Sequence, residues 1–262
     1  MSESPLIIGH RGASAVAPEN TLAAFERAMQ DGADGVEFDV RLSHDGVPVV
    51  IHDATLTRTA AINAFVGDFS SEELQRIDVG SWFVRRRKES KVELAPQTVP
   101  MLHQVFDFFH EREGLLYLEM KSDRSEGSIL AAATVRTIRQ YSMNERVIVS
   151  SFDLSLVKEV KGIDSGIRTS ALFEPKTLRS AALVRSRLVE RAGASGADEI
   201  ALHHTLASRS LIETAHQAQL DVVVWTVDNP KWIERARSLG IKALMTNDPA
   251  GMLRVRGLSS TV

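Results

Sequence analysis

Short runs of apolar residues alternate with helical patterns along almost the whole chain, and this alternation limits the possible folds more than any other feature. Strands separated by helices indicate a parallel sheet, because each helix carries the chain back to the start of the next strand. Eight strands can be assigned, at residues 6–8, 35–42, 115–120, 147–150, 168–172, 199–202, 221–225 and 243–246. Eight strand–helix units in 262 residues predict a TIM (β/α)₈ barrel, with an open doubly wound sheet as the structural alternative.

The alternation weakens from residue 53 to about residue 97. This stretch is too long for an ordinary loop inside a compact domain. We therefore predict a single barrel domain over residues 1–262, with residues 53–97 as an inserted segment after the second strand region. Trp82 and Phe83 are expected to anchor this segment. In a barrel of this type the active site lies at the carboxyl ends of the strands.

The composition argues against several classes of protein. The net charge is -3, so no basic excess suggests nucleic acid as a partner. There are no cysteines, which excludes disulfides, thiolate metal sites and a cysteine nucleophile. Because neither a signal-peptide pattern nor an apolar run of about 18 residues is present, we expect a cytoplasmic protein without stable membrane association. No sequence feature indicates an oligomeric state.

Three carboxylates lie on predicted strands. Side chains alternate along a strand, so Glu37, Asp39 and Arg41 point one way and the apolar residues between them point the other. One face of a barrel strand meets helices and the other the packed interior, so these carboxylates would be buried, which is unfavourable unless a cation compensates them. Glu119, near the end of another strand, completes a set of oxygen ligands suited to magnesium, calcium or manganese. Ion pairing with Arg41 or Lys121 is the alternative interpretation.

Two histidines directly follow extended segments. His10 follows the first strand and His52 follows the apolar run 47–51, so both are expected on the rim where the carboxylates converge. Phosphodiester cleavage needs a base that activates the attacking oxygen and an acid that protonates the leaving alcohol, and histidine serves in either role near neutral pH. We predict that His10 and His52 share these roles, in an order that the sequence leaves open. The neighbouring Asp53 either orients His52 or caps a turn.

At these positions the sequence resembles the glycerophosphodiester phosphodiesterase family. Its most specific motifs are His10-Arg11-Gly12-Ala13, Pro18-Glu19-Asn20-Thr21, Glu37-Phe38-Asp39-Val40, and His52-Asp53 followed by Leu56 and Arg58-Thr59. Weaker similarities follow at Trp82-Phe83, Val99-Pro100-Met101-Leu102, Leu118-Glu119-Met120-Lys121, Trp225-Thr226-Val227 and Thr246-Asn247-Asp248-Pro249. The resemblance extends over roughly residues 6–250.

The resemblance implies a TIM-barrel enzyme that hydrolyses glycerophosphodiesters, which are small molecules, to glycerol 3-phosphate and an alcohol. It implies one divalent cation, magnesium or calcium with manganese as a further option. It also implies His10 and His52 as the acid–base pair. The remaining implied contacts are Glu37, Asp39 and Glu119 with the cation, Arg11 and Lys121 with the phosphate, and Trp225 in the wall of the glycerol pocket.

Two departures from the family pattern leave the alcohol group of the substrate open. Met101 stands where threonine is more usual, and residues 244–248 form a less usual variant of the final strand. One alternative function is a lysophospholipase D or phospholipase C-like reaction on a lipid, although no amphipathic membrane anchor is evident. The alternative from another class is a non-catalytic barrel that binds a phosphoester. Such a protein would be expected to lack a histidine or a metal ligand, and none is missing here.

Overall fold

Nine strands form one sheet in the computed structural model, which describes residues 4–86, 96–122, 126–175 and 184–258. They are β1 (Leu6–His10), β2 (Gly35–Leu42), β3 (Pro48–Val50), β4 (Leu115–Met120), β5 (Val147–Ser151), β6 (Arg168–Phe173), β7 (Glu199–His203), β8 (Asp221–Trp225) and β9 (Ala243–Thr246). All except β3 are parallel and follow the order β1-β9-β8-β7-β6-β5-β4-β2, and the pairing of β1 with β2 closes the barrel. The predicted TIM barrel is therefore confirmed, and the open sheet is excluded.

Helices cover the outside of this barrel. The described helices are α1 (Leu22–Gln30), α2 (Thr57–Ala60), α3 (Ser71–Leu74), α4 (Ser81–Arg86), α5 (Leu102–Phe109), α6 (Gly127–Gln140), α7 (Leu154–Ile163), α8 (Val184–Ala194), α9 (Arg209–Gln217), α10 (Trp232–Leu239) and α11 (Pro249–Leu258). Helices α2 to α4 and a 3₁₀ turn at Val66–Asp68 lie between β3 and β4 in sequence. No helix in the described part of the chain is long and apolar enough to cross a membrane.

Strand β2 shows how the sequence pattern separates core from site. Its residues Val36, Phe38 and Val40 are fully buried in a cluster that also contains side chains of α1, α5 and α6. A separate cluster fills the barrel interior with one or two side chains from each of several strands, among them Ile8, Tyr117, Ile148, Leu172, Ala201, Val223 and Met245. The alternate residues of β2, which include Glu37 and Asp39, therefore face the barrel interior above this hydrophobic cluster, as the alternation predicts.

Strand β3 runs antiparallel to the barrel strands. On one edge of β2, Gly35 to Glu37 pair with β1, and Val40 to Leu42 pair with β3. Thus β3 occupies the part of that edge beyond the end of β1 and runs back towards the barrel mouth. Its continuation is held in place because the backbone N–H of Ile51 donates to the carbonyl of Asp39 at 2.9 Å. His52 therefore lies on the rim as predicted, but its strand reaches the rim from the opposite direction.

The chain between β3 and β4 has its own small core. One hydrophobic cluster buries Val49, Leu56, Val66 and Leu74 together with residues that lie shortly before α5. The indole N–H of Trp82, one of the predicted anchors, donates to the Val79 carbonyl at 2.8 Å. Residues 87–95 lie outside the described part of the chain, so the bounds 53–97 of an inserted segment stay a prediction, as does the single domain over residues 1–262.

Candidate active site

A cavity of about 410 Å³ opens at the carboxyl ends of the barrel strands. All eight site residues predicted from the sequence meet there, and seven of them line the cavity, while Asp39 lies fully buried behind it. The lining residues are His10, Arg11, Glu37, His52, Glu119, Lys121, Ser150, Phe152, Leu172, Glu174, Trp225 and Met245. The cavity therefore has a charged side, from the first strands, and an apolar side formed mainly by later strands.

The three predicted metal ligands form one acidic cluster. One oxygen each of Glu37, Asp39 and Glu119 lies within 4.8 Å of the others. The register of the sheet produces this approach, because Asp39 on β2 is the direct partner of Glu119 on β4, and Glu37 is two residues before Asp39 on the same face. All three side chains are buried. Among the described residues this is the one group of acidic and histidine side chains that meets these distances.

Two cations neutralise the cluster only in part. The Lys121 Nζ atom lies 2.5 Å from Glu119 Oε1 and 3.2 Å from Asp39 Oδ1, and the Arg11 Nε atom lies 3.2 Å from Asp39 Oδ2. The alternative interpretation, ion pairing with Lys121, is thus present but incomplete, since three carboxylates face two cations. Arg41 does not join them through its Nε atom, which donates to the His52 carbonyl at 2.8 Å.

The incomplete neutralisation of the acidic cluster shifts the pKa values of its three carboxylates. Burial, and then the charges of Asp39 and Glu119, raise the pKa of Glu37 well above its usual range. Burial also raises the pKa of Glu119 to about 7, although Lys121 opposes this shift. For Asp39 the charges of Lys121 and Arg11 outweigh burial and lower the pKa. A site that holds protons on buried carboxylates can exchange them for a cation.

The donor set fits a hard divalent cation. It consists of three carboxylates, and among the described residues the buried Asp39 Oδ1 has the ion pair with Lys121 but no hydrogen bond. The other oxygen of Asp39 accepts from Asn20 Nδ2 at 2.8 Å, and Glu37 Oε2 accepts from the backbone N–H of Arg11 at 2.9 Å. Arg11 and Asn20 both have positive φ values, 55° and 57°, a backbone conformation that residues other than glycine rarely adopt and that clusters at functional sites.

His10 approaches the acidic cluster from β1. Its Nε2 atom lies 3.9 Å from Glu37 Oε2, and its Nδ1 atom lies 2.8 Å from Asn247 Oδ1. Because the Asn247 amide group donates to Asp228 at 2.8 Å, its oxygen is turned towards His10, so His10 Nδ1 is the donor. Burial, and then the charge of Arg11, lower the pKa of His10 to about 4.

His52 lies on the same edge of β2 as His10, nearer the carboxyl end of that strand. Its Nδ1 atom is 2.6 Å from Asp53 Oδ1, so Asp53 bonds to His52, one of the two roles that the sequence left open. Burial lowers the pKa of His52, while the charge of Asp39 opposes this shift. Both imidazoles thus have one nitrogen held by an oxygen acceptor, an arrangement that fixes a catalytic imidazole in one orientation.

Trp225 lies on the apolar side of the cavity, at the end of β8. Its ring meets that of Phe152 edge-on, with centroids 5.5 Å apart, and that of His203 in the same way at 5.3 Å. This aromatic wall stands opposite the charged side, so a ligand with one ionic and one carbon-rich part would fit between them.

Sequence reasoning did not assign a role to Asn247, Glu19 or Asn20, all of which bond to predicted site residues. Asn247 is 237 positions from His10, and no periodicity predicts such a contact. The signal that existed was their place in motifs shared with the family, Glu19-Asn20 in a specific one and Asn247 in a weaker one.

Fold and site together define a TIM-barrel enzyme with an acidic centre beside two histidines. The chain belongs to the glycerophosphoryl diester phosphodiesterase family, whose model matches residues 10–251. It is therefore a phosphoric diester hydrolase of the glycerophosphodiester phosphodiesterase class.

Several relatives are similar over nearly their whole length. A glycerophosphodiester phosphodiesterase of Caldanaerobacter subterraneus subsp. tengcongensis is 32% identical over 252 residues, which cover 95% of this chain and 97% of the relative. The structure of an Oleispira antarctica phosphodiesterase in complex with the product sn-glycerol-3-phosphate has a TM-score of 0.83 at 26% identity and covers 96% of both chains. The glycerophosphodiester phosphodiesterase of Agrobacterium tumefaciens has a TM-score of 0.77 at 26% identity and covers 95% of this chain and 99% of that one.

Proposed function

We propose that this protein hydrolyses glycerophosphodiesters to glycerol 3-phosphate and an alcohol, with one divalent cation and with His10 and His52 as general acid and base. The observation that carries the proposal is the placement of the two histidines along one edge of β2, beside a partly neutralised carboxylate cluster. The product complex of the Oleispira antarctica relative supports glycerol 3-phosphate as the product.

Glu37, Asp39 and Glu119 would hold the cation, with magnesium or calcium as the proposed ion and manganese as a further option. When bound, it would polarise a phosphoryl oxygen and help to offset the charge that develops there. Arg11 and Lys121 already lie beside these carboxylates and line the cavity, so their charges are placed to hold the remaining phosphoryl oxygens.

The two histidines would move the protons. One takes a proton from the nucleophile, which is water or the neighbouring glycerol hydroxyl, and the other gives a proton to the leaving alcohol oxygen. For His10 this leaves Nε2 for the reaction, because Nδ1 donates to Asn247. For His52 the Nδ1 atom is taken by Asp53, so its Nε2 is the reactive atom as well. The order of the two roles stays open.

The apolar side of the cavity would receive the glycerol carbons. Trp225 is the proposed wall of this pocket, with Phe152 and Met245 beside it. We propose a small glycerophosphodiester rather than a lipid or a nucleic acid as the substrate, since the cavity of about 410 Å³ has a volume typical of small-molecule sites. A cytoplasmic location remains a prediction.

The test is a panel of glycerophosphodiesters with different head groups, assayed for release of glycerol 3-phosphate in the presence of magnesium, calcium or manganese. We expect turnover of at least one diester and its loss in excess chelator. A lysolipid in the same panel tests the lipid alternative: preference for it would favour a lysophospholipase D-like reaction. Tight binding of the diesters without any turnover would favour the non-catalytic barrel.

A further inference from the structure

We infer that Arg58 is a positioning residue whose single guanidinium group holds both His52 and Arg11 in their working places. The inference rests on the proposed function of those two residues. Arg58 is on α2, in the chain between β3 and β4, and does not line the cavity. Ion pairs link Arg58 to His52 on one side and to Arg11 on the other.

The first ion-pair chain leads to the acid–base histidine. Arg58 Nε donates to Asp53 Oδ2 at 2.6 Å, and the other oxygen of Asp53 lies 2.6 Å from His52 Nδ1. Asp53 thus has one oxygen for each neighbour. If Arg58 is removed, the Asp53 carboxylate is free to rotate or to bind water, and the imidazole loses its fixed acceptor.

The second chain leads to the phosphate-binding arginine. The two terminal nitrogens of Arg58 donate to the two oxygens of Glu19 at 2.9 and 2.7 Å, which is a bidentate pair. Glu19 Oε1 also accepts from Arg11 NH1 at 2.9 Å. Arg11 in turn lies 3.2 Å from Asp39 of the acidic cluster. The three nitrogens of Arg58 are therefore divided between the two chains, one to Asp53 and two to Glu19.

Exposure argues that this network does not exist mainly for folding. The Arg58 side chain is 38% exposed and its partners Glu19 and Asp53 are 15% and 24% exposed, and a partly exposed ion pair contributes less to the free energy of unfolding than its Coulomb energy suggests. Arg58 Cζ also lies 5.3 Å from the ring centroid of Trp82 on α4. This contact joins the Arg58-Thr59 and Trp82-Phe83 motifs. Neither motif has been given a catalytic role. Through this contact the chain between β3 and β4 supports the two site residues.

The experiment compares Arg58→Ala with Arg76→Ala in the full-length protein. Arg76 is a matched control, since it also pairs with a glutamate, Glu72, in the chain between β3 and β4. We expect Arg58→Ala to lower kcat/KM about 10- to 100-fold, the usual effect of losing a residue that orients a catalytic group, with little change in the thermal midpoint. Added guanidinium ion should restore part of the activity, whereas Arg58→Lys should restore little, because an ammonium group lacks the planar fork.

Two single variants separate the two ion-pair chains. Asp53→Asn acts on His52 and should mainly lower kcat, whereas Glu19→Gln acts on Arg11 and should mainly raise KM. In the Arg58→Ala background each should have a reduced effect, since residues of one network are not additive. Wild-type kcat/KM in Arg58→Ala, or full additivity of both substitutions with it, would overturn the inference.

A readout without substrate keeps this inference separate from the proposed function. In protein labelled with ¹⁵N at histidine, the His52 Nδ1 proton should be observable in the wild type and in Arg76→Ala, and should be lost or shifted in Arg58→Ala. An unchanged His52 ring spectrum would contradict the role of Arg58 even if the wild type proved inactive on every diester. Absence of turnover by the wild type, with the spectral change present, would instead reject the proposed function alone.

Discussion

Both ends of the barrel bury acidic side chains, but they differ in how many they bury. At the end opposite the mouth, the lower end, Glu199 at the start of β7 is 1% exposed, and Lys242 Nζ lies 2.7 Å from it. The same Nζ lies 2.6 Å from Asp221 at the start of β8, whose side chain is 58% exposed. At the mouth, three carboxylates face Arg11 and Lys121.

The difference separates a structural charge from a functional one. The lower end has one buried carboxylate and one lysine beside it, so its buried charges match without a ligand. The surplus of negative charge among the three buried carboxylates at the mouth is unfavourable in the isolated chain, and the proposed cation would offset it. Burial alone, which both ends share, does not identify the active site.

The largest effect is expected at the mouth, from the histidines. His10→Ala and His52→Ala should each lower turnover by about 10²- to 10⁴-fold, because each removes a general acid or base. Steady-state kinetics on the best diester measures this loss. His44→Ala, in an exposed turn, is the control and should have wild-type turnover. Near-normal turnover of either site variant would remove that histidine from the mechanism.

The second prediction applies the same substitution to both ends. Lys121→Met should lower kcat/KM by about 10²-fold, since a charge that faces the phosphoryl group is lost. Lys242→Met should leave kcat/KM nearly unchanged but lower the free energy of unfolding by about 1–3 kcal/mol, because Glu199 loses its partner. Denaturant unfolding together with kinetics distinguishes them. Equal effects on activity at the two ends would contradict the division into a structural and a functional end.

The Lys242→Met effect should depend on pH in a defined direction. Burial already raises the pKa of Glu199, and Lys242 is the main group that opposes this rise. A carboxyl group with a raised pKa in the folded state disfavours folding when it is ionised. The loss of stability should therefore be greatest above the raised pKa and fade as the pH falls through it towards 4.5, the ordinary value. A loss that grows in acid would contradict this explanation.

The smallest effect concerns proton release when the cation binds. The pKa of Glu119 is raised to about 7 and that of Glu37 well above its usual range, so both carry protons in the cation-free protein at mildly acidic pH. Binding must displace these protons, and the apparent affinity should fall by about tenfold for each proton and each pH unit below 7. Titration calorimetry in buffers of different ionisation enthalpy counts the protons. An affinity independent of pH between 6 and 8 would contradict the assigned ligands.

The sequence predicts best what depends on local periodicity. The two-residue period of β2 placed Glu37 and Asp39 in the interior, and strand–helix alternation predicted the barrel that brings Glu119 beside them. It predicted His52 on the rim although β3 runs antiparallel, a direction that the apolar run at 47–51 does not reveal. Asn247 could not be assigned, because its bond to His10 depends on how β9 closes against β1.

The two ends of the segment between β3 and α5 lie side by side. Val49 forms a bridge with Met101, and the backbone N–H of Val50 donates to the Pro100 carbonyl at 2.7 Å. Because this segment leaves and re-enters the barrel at one point, it can be exchanged as a unit. Its length and sequence can change between these two fixed points while the barrel stays closed, because a longer loop adds little entropy cost once its ends are joined. Grafting this segment between homologous barrels would vary the support of the site residues without rebuilding the strands below it.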